Sequence, residues 1–523
     1  MSGRRWSALL AGALCLPGAA WAQFSPVGVP KGLLRLELDG ALETVDRRYL
    51  GGVSEEYAAD LASPALGADR IPGLTSADAA LARITGASTA RLDLGGLTAT
   101  AQGTRDAGSI GLGFGLTSRI SIFARLPLAR TTVSTTLALD STSSNAGVNP
   151  ADPVFGDQAG AAQTSQFIAD FSGALQSLQS RLQAGVYDGD PALRTMAQNT
   201  LASGTSLRND LAGLLLDPAT ASTFVPTVGS QLGLALNARI QALQATLAGS
   251  LGVPGFTTAP ALPISRASQD ALVAYLTNPQ GPIVGRIEEA PLSQRGDAEV
   301  GGVFTPIDHW NDDMRGTGLR IALTGLYRLG TGFPARPSFF LDLGTGTGHS
   351  ALGGAVTADV GLGRFGARLS GGYLRQMAGD DLLRVTPPDQ PYAPFSQIKT
   401  VSVDPGDVWS LGAHPFVRLV PGFAIQIGVD HRHEGAETVT YASAADSIPG
   451  IPASALSLDS EIGVTTFSAG VTYATPGVNK PGAKGIPVDA QWTFEQVVGG
   501  SGGRVSKFQS IRGGVRVYFR LFQ

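Results

Sequence analysis

The sequence predicts an all-β fold, a transmembrane antiparallel β-barrel of about twelve strands (roughly twelve to fourteen), carrying an α-helical insertion between strands 3 and 4. Three observations point there. The first residues read as an export signal, short segments of alternating polarity recur along the chain, and short and long connections between them alternate.

The export signal comes first. Arg4 and Arg5 form a positive head, Trp6 to about Ala20 is apolar, and Ala20-Trp21-Ala22 is a small-x-small cleavage site. Residues 1–22 are therefore assigned as a signal peptide and 23–523 as the exported chain, cut before Gln23. Cys15 is the only cysteine and lies inside the removed segment, behind Leu14 rather than the small residue that lipidation requires. The exported chain then has no thiol, which excludes disulfides, cysteine metal ligands and a cysteine nucleophile.

Composition narrows the class further. A net charge of -4, spread without a basic block, argues against nucleic acid as a partner. No later apolar run reaches the ~18 residues of a membrane helix. Yet glycine supplies 69 of 523 residues, far above the usual share of roughly 7%. Inside lipid every backbone donor and acceptor needs an internal partner, so only helices or closed barrels can span.

Strands of such a barrel alternate lipid-facing apolar with lumen-facing polar residues. In 32–40, Leu34, Leu36 and Leu38 oppose Arg35, Glu37 and Asp39. In 119–128, Ile120, Ile122, Ala124, Leu126 and Leu128 oppose Arg119, Ser121, Phe123 and Arg125. Leu319, Ile321, Leu323 and Tyr327 oppose Arg320, Thr324 and Arg328; Trp409, Leu411, Ala413, Val417 and Leu419 oppose Ser410, His414 and Arg418. In the last segment Val515, Val517, Phe519 and Leu521 oppose Arg516 and Arg520. A soluble sandwich also alternates, but would not repeat charged faces against apolar ones so often. The strand set is 32–40, 106–117, 119–137, 296–305, 317–329, 350–361, 364–375, 406–419, 422–434, 460–475, 486–498 and 505–522, with 90–101 and 337–346 as two further candidates.

Very short links (Leu116 to Arg119, Gly361 to Arg364, Val420 to Gly422) contrast with long ones such as 376–406 and 435–458. Outer-membrane barrels have short periplasmic turns and long external loops, which orients the chain.

Between Asp140 and Gln294 the period changes. Ile168, Phe171, Leu175, Leu178 and Leu182 recur at helical spacing, as do Leu236, Ile240, Leu243, Leu247 and Leu251, with a short helical run ended by Pro218 between them. The segment 140–294 is assigned as a helical insert on the external side: an external cap, a partial plug or a partner surface. Its polar faces carry Gln, Ser and Asn rather than the basic residues a membrane-surface helix wants. Residues 53–88 read as a smaller helical loop with Ser76 as its N-cap.

The segments PVGVPKGLLRLELDG, GSIGLGFGLTSRISIFARLPLART, FFLDLGTGTGHSALGGAVTADVGLGRFGARLSGGY and the closing VRVYFRLF together resemble outer-membrane barrels related to the phenol-degradation meta-pathway (aromatic and hydrocarbon transport) proteins, themselves distantly similar to long-chain fatty-acid transporters. The resemblance covers most barrel segments but not 140–290. It implies passive uptake of small hydrophobic molecules. Val517, Phe519, Leu521 and Phe522 are the candidate assembly signal, although Gln523 is last and Phe522 falls on the arginine face.

Few residues suggest chemistry. His431 and His433 share a face and invite a metal, but sit where a strand meets the membrane boundary. His349 and Ser350 are adjacent, so on an extended chain they point apart, and no GxSxG elbow is present. GTGTGHSALGG lacks the lysine of a phosphate loop and reads as a flexible loop. No enzyme activity, cofactor or metal is expected. The candidate lumen-lining set is Arg35, Glu37, Arg119, Arg125, Arg320, Arg328, Asp359, Arg364, Arg368, Arg418, Arg516 and Arg520; Asp39, Glu299 and Asp430 share those faces. Such charges either brace the lumen as cross-strand ion pairs or tune passage toward anions.

The expected function is a passive, porin-like channel of a Gram-negative outer membrane for a small hydrophobic or amphipathic compound. The alternatives are a closed structural barrel whose insert binds a partner and, remotely, an outer-membrane hydrolase. The expected partners are outer-membrane lipid, the barrel-assembly machinery and a small-molecule cargo.

Overall fold

The computed structural model describes residues 27–310, 314, 316–475 and 487–520. The signal peptide, Leu521 and Phe522 lie outside them.

Twelve strands form the barrel wall: β1 (Leu33–Val45), β2 (Gly96–Gly115), β3 (Ile120–Asp140), β4 (Glu299–His309), β5 (Thr317–Arg328), β6 (Ala351–Leu362), β7 (Phe365–Gln376), β8 (Val408–Val420), β9 (Phe423–Glu434), β10 (Ile462–Ala474), β11 (Val488–Gly502) and β12 (Gln509–Arg520). Each is antiparallel to the next, and β12 returns to β1 at Leu33 and Arg520, which closes the sheet and leaves no edge. A short strand, Leu292–Arg295, pairs with β3 above β4 and continues its line.

The two additional strands considered above are not separate. Residues 96–101 are the upper part of β2, and 337–346 form an irregular loop, held by an isolated bridge between Phe339 and Arg286. The all-β expectation is also corrected. Among the described residues, five α-helices, α1 (Thr75–Thr85), α2 (Gln158–Gln183), α3 (Pro191–Leu215), α4 (Gln231–Ala245) and α5 (Gln269–Thr277), stand at the end of the barrel where the long connections gather.

The wall is inside-out. Leu38, Ile110, Leu112, Ile122, Leu323, Val356, Leu411, Ile427, Trp492 and Val515 are exposed on its outer surface, whereas Arg35, Glu37, Arg320, Asp359, Arg368, His414 and Arg516 are buried within. A soluble protein cannot afford such a belt; a bilayer requires it.

The β2–β3 hairpin shows where the belt ends. Its strands run 20 and 21 residues, about twice what a bilayer needs. In the lower half, outward residues are apolar (Ile110, Leu112, Leu126, Leu128) and inward ones include Arg125 and Ser109. In the upper half the polarity inverts. Thr98, Thr100, Ser134 and Thr136 face out, and Leu97, Ala99, Ala101, Val133 and Leu137 are buried on the inner side.

That apolar upper face is what the helices pack on. Phe167, Phe171, Leu175 and Leu178 of α2, Leu207, Leu211 and Leu214 of α3, and Leu236 and Ile240 of α4 join it in one hydrophobic core. Phe171 stacks on Phe256, with ring centroids 4.4 Å apart. Gly204 lets α2 approach α3, since a Cβ there would meet Leu175 at 2.7 Å. Capping side chains begin α2, α3 and α4: Asp157 accepts from Gly160 N at 2.6 Å, Asp190 from Ala192 N at 3.0 Å, and Ser230 from Gly233 N at 3.1 Å.

Two helix expectations change. The short run before Pro218 is the end of the 25-residue α3, whose earlier part is too polar to show a stripe. The smaller helix starts at Thr75 rather than after Ser76, because the 3-10 turn Pro72–Leu74 runs straight into it and no side-chain cap forms.

Candidate functional site

Alternation points one face of every strand into the barrel, and antiparallel register then sets which charges meet. Arg320 lies opposite both Asp308 and Asp359, and Asp359 lies opposite Arg368. Arg320 Nε donates to Asp308 at 3.0 Å, and Arg368 donates twice to Asp359, at 2.6 and 2.9 Å. Arg328 approaches Glu299 at 3.6 Å. Arg35 and Arg516 stand 2.5 and 3.4 Å from Glu37, and Arg125 reaches Asp39 at 3.1 Å and Ser109 at 2.9 Å. His414 meets Asp430 at 2.9 Å.

Glycines make room for these long side chains. A Cβ at Gly111 would touch Glu37 at 3.1 Å, and one at Gly412 would meet the Asp430 carboxylate at 2.4 Å. Part of the glycine excess therefore serves the lumen.

Not every candidate lies there. Arg119, Arg364 and Arg520 stand at strand ends on the short-turn side and are exposed there. Arg418 does lie inside, donating to Gly363 O at 2.5 Å. Val517 and Phe519 alternate with the buried Arg516 and Tyr518.

The short-turn end is narrowed from two sides. Residues 27–32 fold into it: Val29 N donates to Ser121 Oγ at 3.1 Å, Arg35 holds Val27 O at 3.0 Å, and Val29 packs with Leu33 and Tyr518. Across from them, Trp310 lies between the guanidinium groups of Arg320 and Arg418, 5.3 and 5.4 Å from its ring. Sequence patterning missed both, since neither belongs to a strand.

Among the described residues, the lumen cavities include a lower and an upper one. The lower, about 200 Å³, is walled by Arg35, Glu37, Arg125, Glu299, Arg368 and Arg516, among others. The upper, about 380 Å³, lies below the helices; its wall includes Glu43, Arg105, Glu495, Phe508 and Arg512. Leu374 and Val408 belong to the walls of both.

The upper rim is built around Asp297. Its buried carboxylate accepts from Gly332 N and Thr347 N, each at 2.7 Å, Thr347 Oγ1 at 3.0 Å and Gly348 N at 3.3 Å. A Cβ at Gly332 or Gly346 would stand 2.7 Å from that carboxylate. The GTGTG stretch, read above as flexible, is thus a fitted cradle for one anion.

Above the rim, His349 meets Asp381 at 2.9 Å and Met377 O at 3.2 Å. Its pKa is raised, chiefly by the Asp381 hydrogen bond, with burial opposing. Ser350 Oγ accepts from Gly330 N at 3.3 Å, so each residue of the pair has its own partners. His431 and His433 flank Trp409 on the wall, with ring centroids 5.3 Å from it.

No protein-family model and no curated protein matches the sequence. Solved structures do show likeness. An outer membrane channel from Pseudomonas putida F1 is 10% identical with a TM-score of 0.42, covering 97% of this chain and 100% of that one. The transport unit of the autotransporter AIDA-I from Escherichia coli is 8% identical with a TM-score of 0.32, covering 95% and 93%. The P. putida toluene transporter TodX is 10% identical with a TM-score of 0.23, covering 96% and 92%.

Proposed function

We propose that the chain is a passive outer-membrane channel for a small hydrophobic or amphipathic compound. One observation carries this reading: a closed barrel with an apolar exterior holds two lumen cavities that share Leu374 and Val408 as wall residues. The long connections and helices face outward from the cell, and the short turns and residues 27–32 face the periplasm. Passage is diffusive, through charges that hold one another in place. Swelling of liposomes containing the purified protein tests this. Entry of small solutes supports it, and a folded but impermeable protein overturns it.

The narrowing by residues 27–32 and Trp310 favours a second reading, a closed barrel whose helical cap binds a partner. Under that reading swelling stays absent even after Trp310→Ala.

A further inference from the structure

We propose that the short-turn rim of the barrel holds the headgroup of an anionic phospholipid, with Arg119, Arg520 and Lys31 as its phosphate contacts. The site does not depend on conduction.

Pairing brings the three cations onto neighbouring strands. Arg520 lies opposite Leu33 at the seam where β12 meets β1. Lys31, just before β1, bridges Gly115 at the end of β2, and Gly115 lies opposite Ser121, close behind Arg119. Strands stand ~4.8 Å apart, so the stretch from β12 to β3 covers about 15 Å of rim. All three residues are exposed. Among the described residues, none of their side chains has an ion-pair or hydrogen-bond partner. Arg364, in the turn between β6 and β7, is exposed and unpaired in the same way.

Acidic residues do not offset this charge. The turns 116–119, 363–364 and 421–422 and the segment 27–32 contain none. Near the same strand ends, Asp308 is held by Arg320 at 3.0 Å, and the buried Asp489 accepts from Tyr518 Oη at 2.7 Å. The connections outside the described residues contain Asp312 and Asp313, but also Arg315, Lys480 and Lys484. The end is basic in sum.

The apolar belt continues directly into this rim. Leu116, Ile120 and Phe519 are exposed beside Arg119 and Arg520, and Leu362 and Phe365 flank Arg364. An arginine stem can lie along such a surface while its head reaches the phosphate level, where the planar fork matches two phosphate oxygens. A soluble anion would leave the belt residues in water. A lipid covers them with its acyl chains and supplies the phosphate in one molecule. A zwitterionic headgroup brings its own ammonium and gains less from an excess of cations, which selects a lipid of net negative charge.

Native mass spectrometry of the purified full-length protein in nonionic detergent tests the site. The protein is offered equal amounts of phosphatidylglycerol and phosphatidylethanolamine with identical acyl chains. Phosphatidylglycerol adducts should exceed the others about fivefold or more, the worth of one arginine near an anionic lipid surface. Arg119→Gln together with Arg520→Gln should bring the ratio close to one. Arg286→Gln, which changes an exposed arginine at the long-loop end, should leave it unchanged. Equal adducts in the wild type overturn the proposal, as does a preference that survives in the folded double variant or falls as far in Arg286→Gln. Loss of the preference on adding glycerol 1-phosphate at the lipid's concentration would assign the rim to a soluble anion and overturn the lipid. Each single substitution should lower the ratio too, so a double variant that fails to fold leaves the test intact.

Discussion

Arg368 and Asp359 face each other across two neighbouring strands inside the barrel and share two hydrogen bonds, at 2.6 and 2.9 Å. Asp359 is 1% exposed and also has Arg320 opposite it. One carboxylate therefore ties three strands. Asp359→Asn leaves two buried cations without their shared anion, a change that costs about 3–5 kcal/mol when a buried pair is broken. Heat-dependent gel mobility and urea unfolding should both shift toward lower stability. Asp359→Asn together with Arg368→Gln should cost less than Asp359→Asn alone.

Trp310 closes part of the lower end while its ring is held between Arg320 and Arg418. Trp310→Ala should raise single-channel conductance and lower stability by less than the ~3–5 kcal/mol of a fully buried aromatic residue, because Trp310 is half-buried. Trp310→Phe should retain most of both properties. Conductance equal to wild type in a folded Trp310→Ala protein would place the narrowest point elsewhere.

The helices share one core with the upper β2–β3 hairpin. Replacing 145–290 by a short linker should leave the membrane part intact, seen as retained heat-modifiable mobility. The uncovered Leu97, Val133 and Leu137 should then make the hairpin tip sensitive to protease. Loss of the barrel itself would show that the cap is needed to close the wall.

The membrane half of the fold was legible because alternation is local: Leu34, Leu36 and Leu38 against Arg35, Glu37 and Asp39 need no partner to be read. The inverted polarity of the hairpin was present too, in Leu97, Ala99 and Ala101 against Thr98 and Thr100. Alternation failed at Arg119, Arg364 and Arg520, which stand at strand ends where a long side chain reaches solvent although its backbone is still paired. The first half of α3 lacks a clear stripe because it is largely polar and its buried positions hold Ala197, Thr200 and Gly204 rather than large apolar residues. The GTGTG cradle had no local signal, since its carboxylate, Asp297, comes from 50 residues earlier than Thr347.

His349 and Asp381 join two long connections above the rim, with the histidine pKa raised by its carboxylate partner. The folded pKa lies above the unfolded value of about 6.5. The pair's contribution is therefore fully present below that value and lost as pH rises through the folded pKa. Proteolysis within 377–407 should become faster as pH rises through that window. His349→Gln should remove the dependence, and an unchanged pH profile in that variant would assign it to another group.

In the proposed channel, solute passes from the upper cavity to the lower one. The exported chain is expected to lack cysteine, so single thiols can be placed at will. Ser410 belongs to the wall of the lower cavity and Thr466 to that of the upper. In planar bilayers, Ser410→Cys and Thr466→Cys channels would be exposed to a charged methanethiosulfonate reagent added only on the long-loop side. Both variants should lose conductance while the wild-type channel keeps it. A block at Thr466→Cys alone, with Ser410→Cys conducting and unlabelled, would contradict a continuous path.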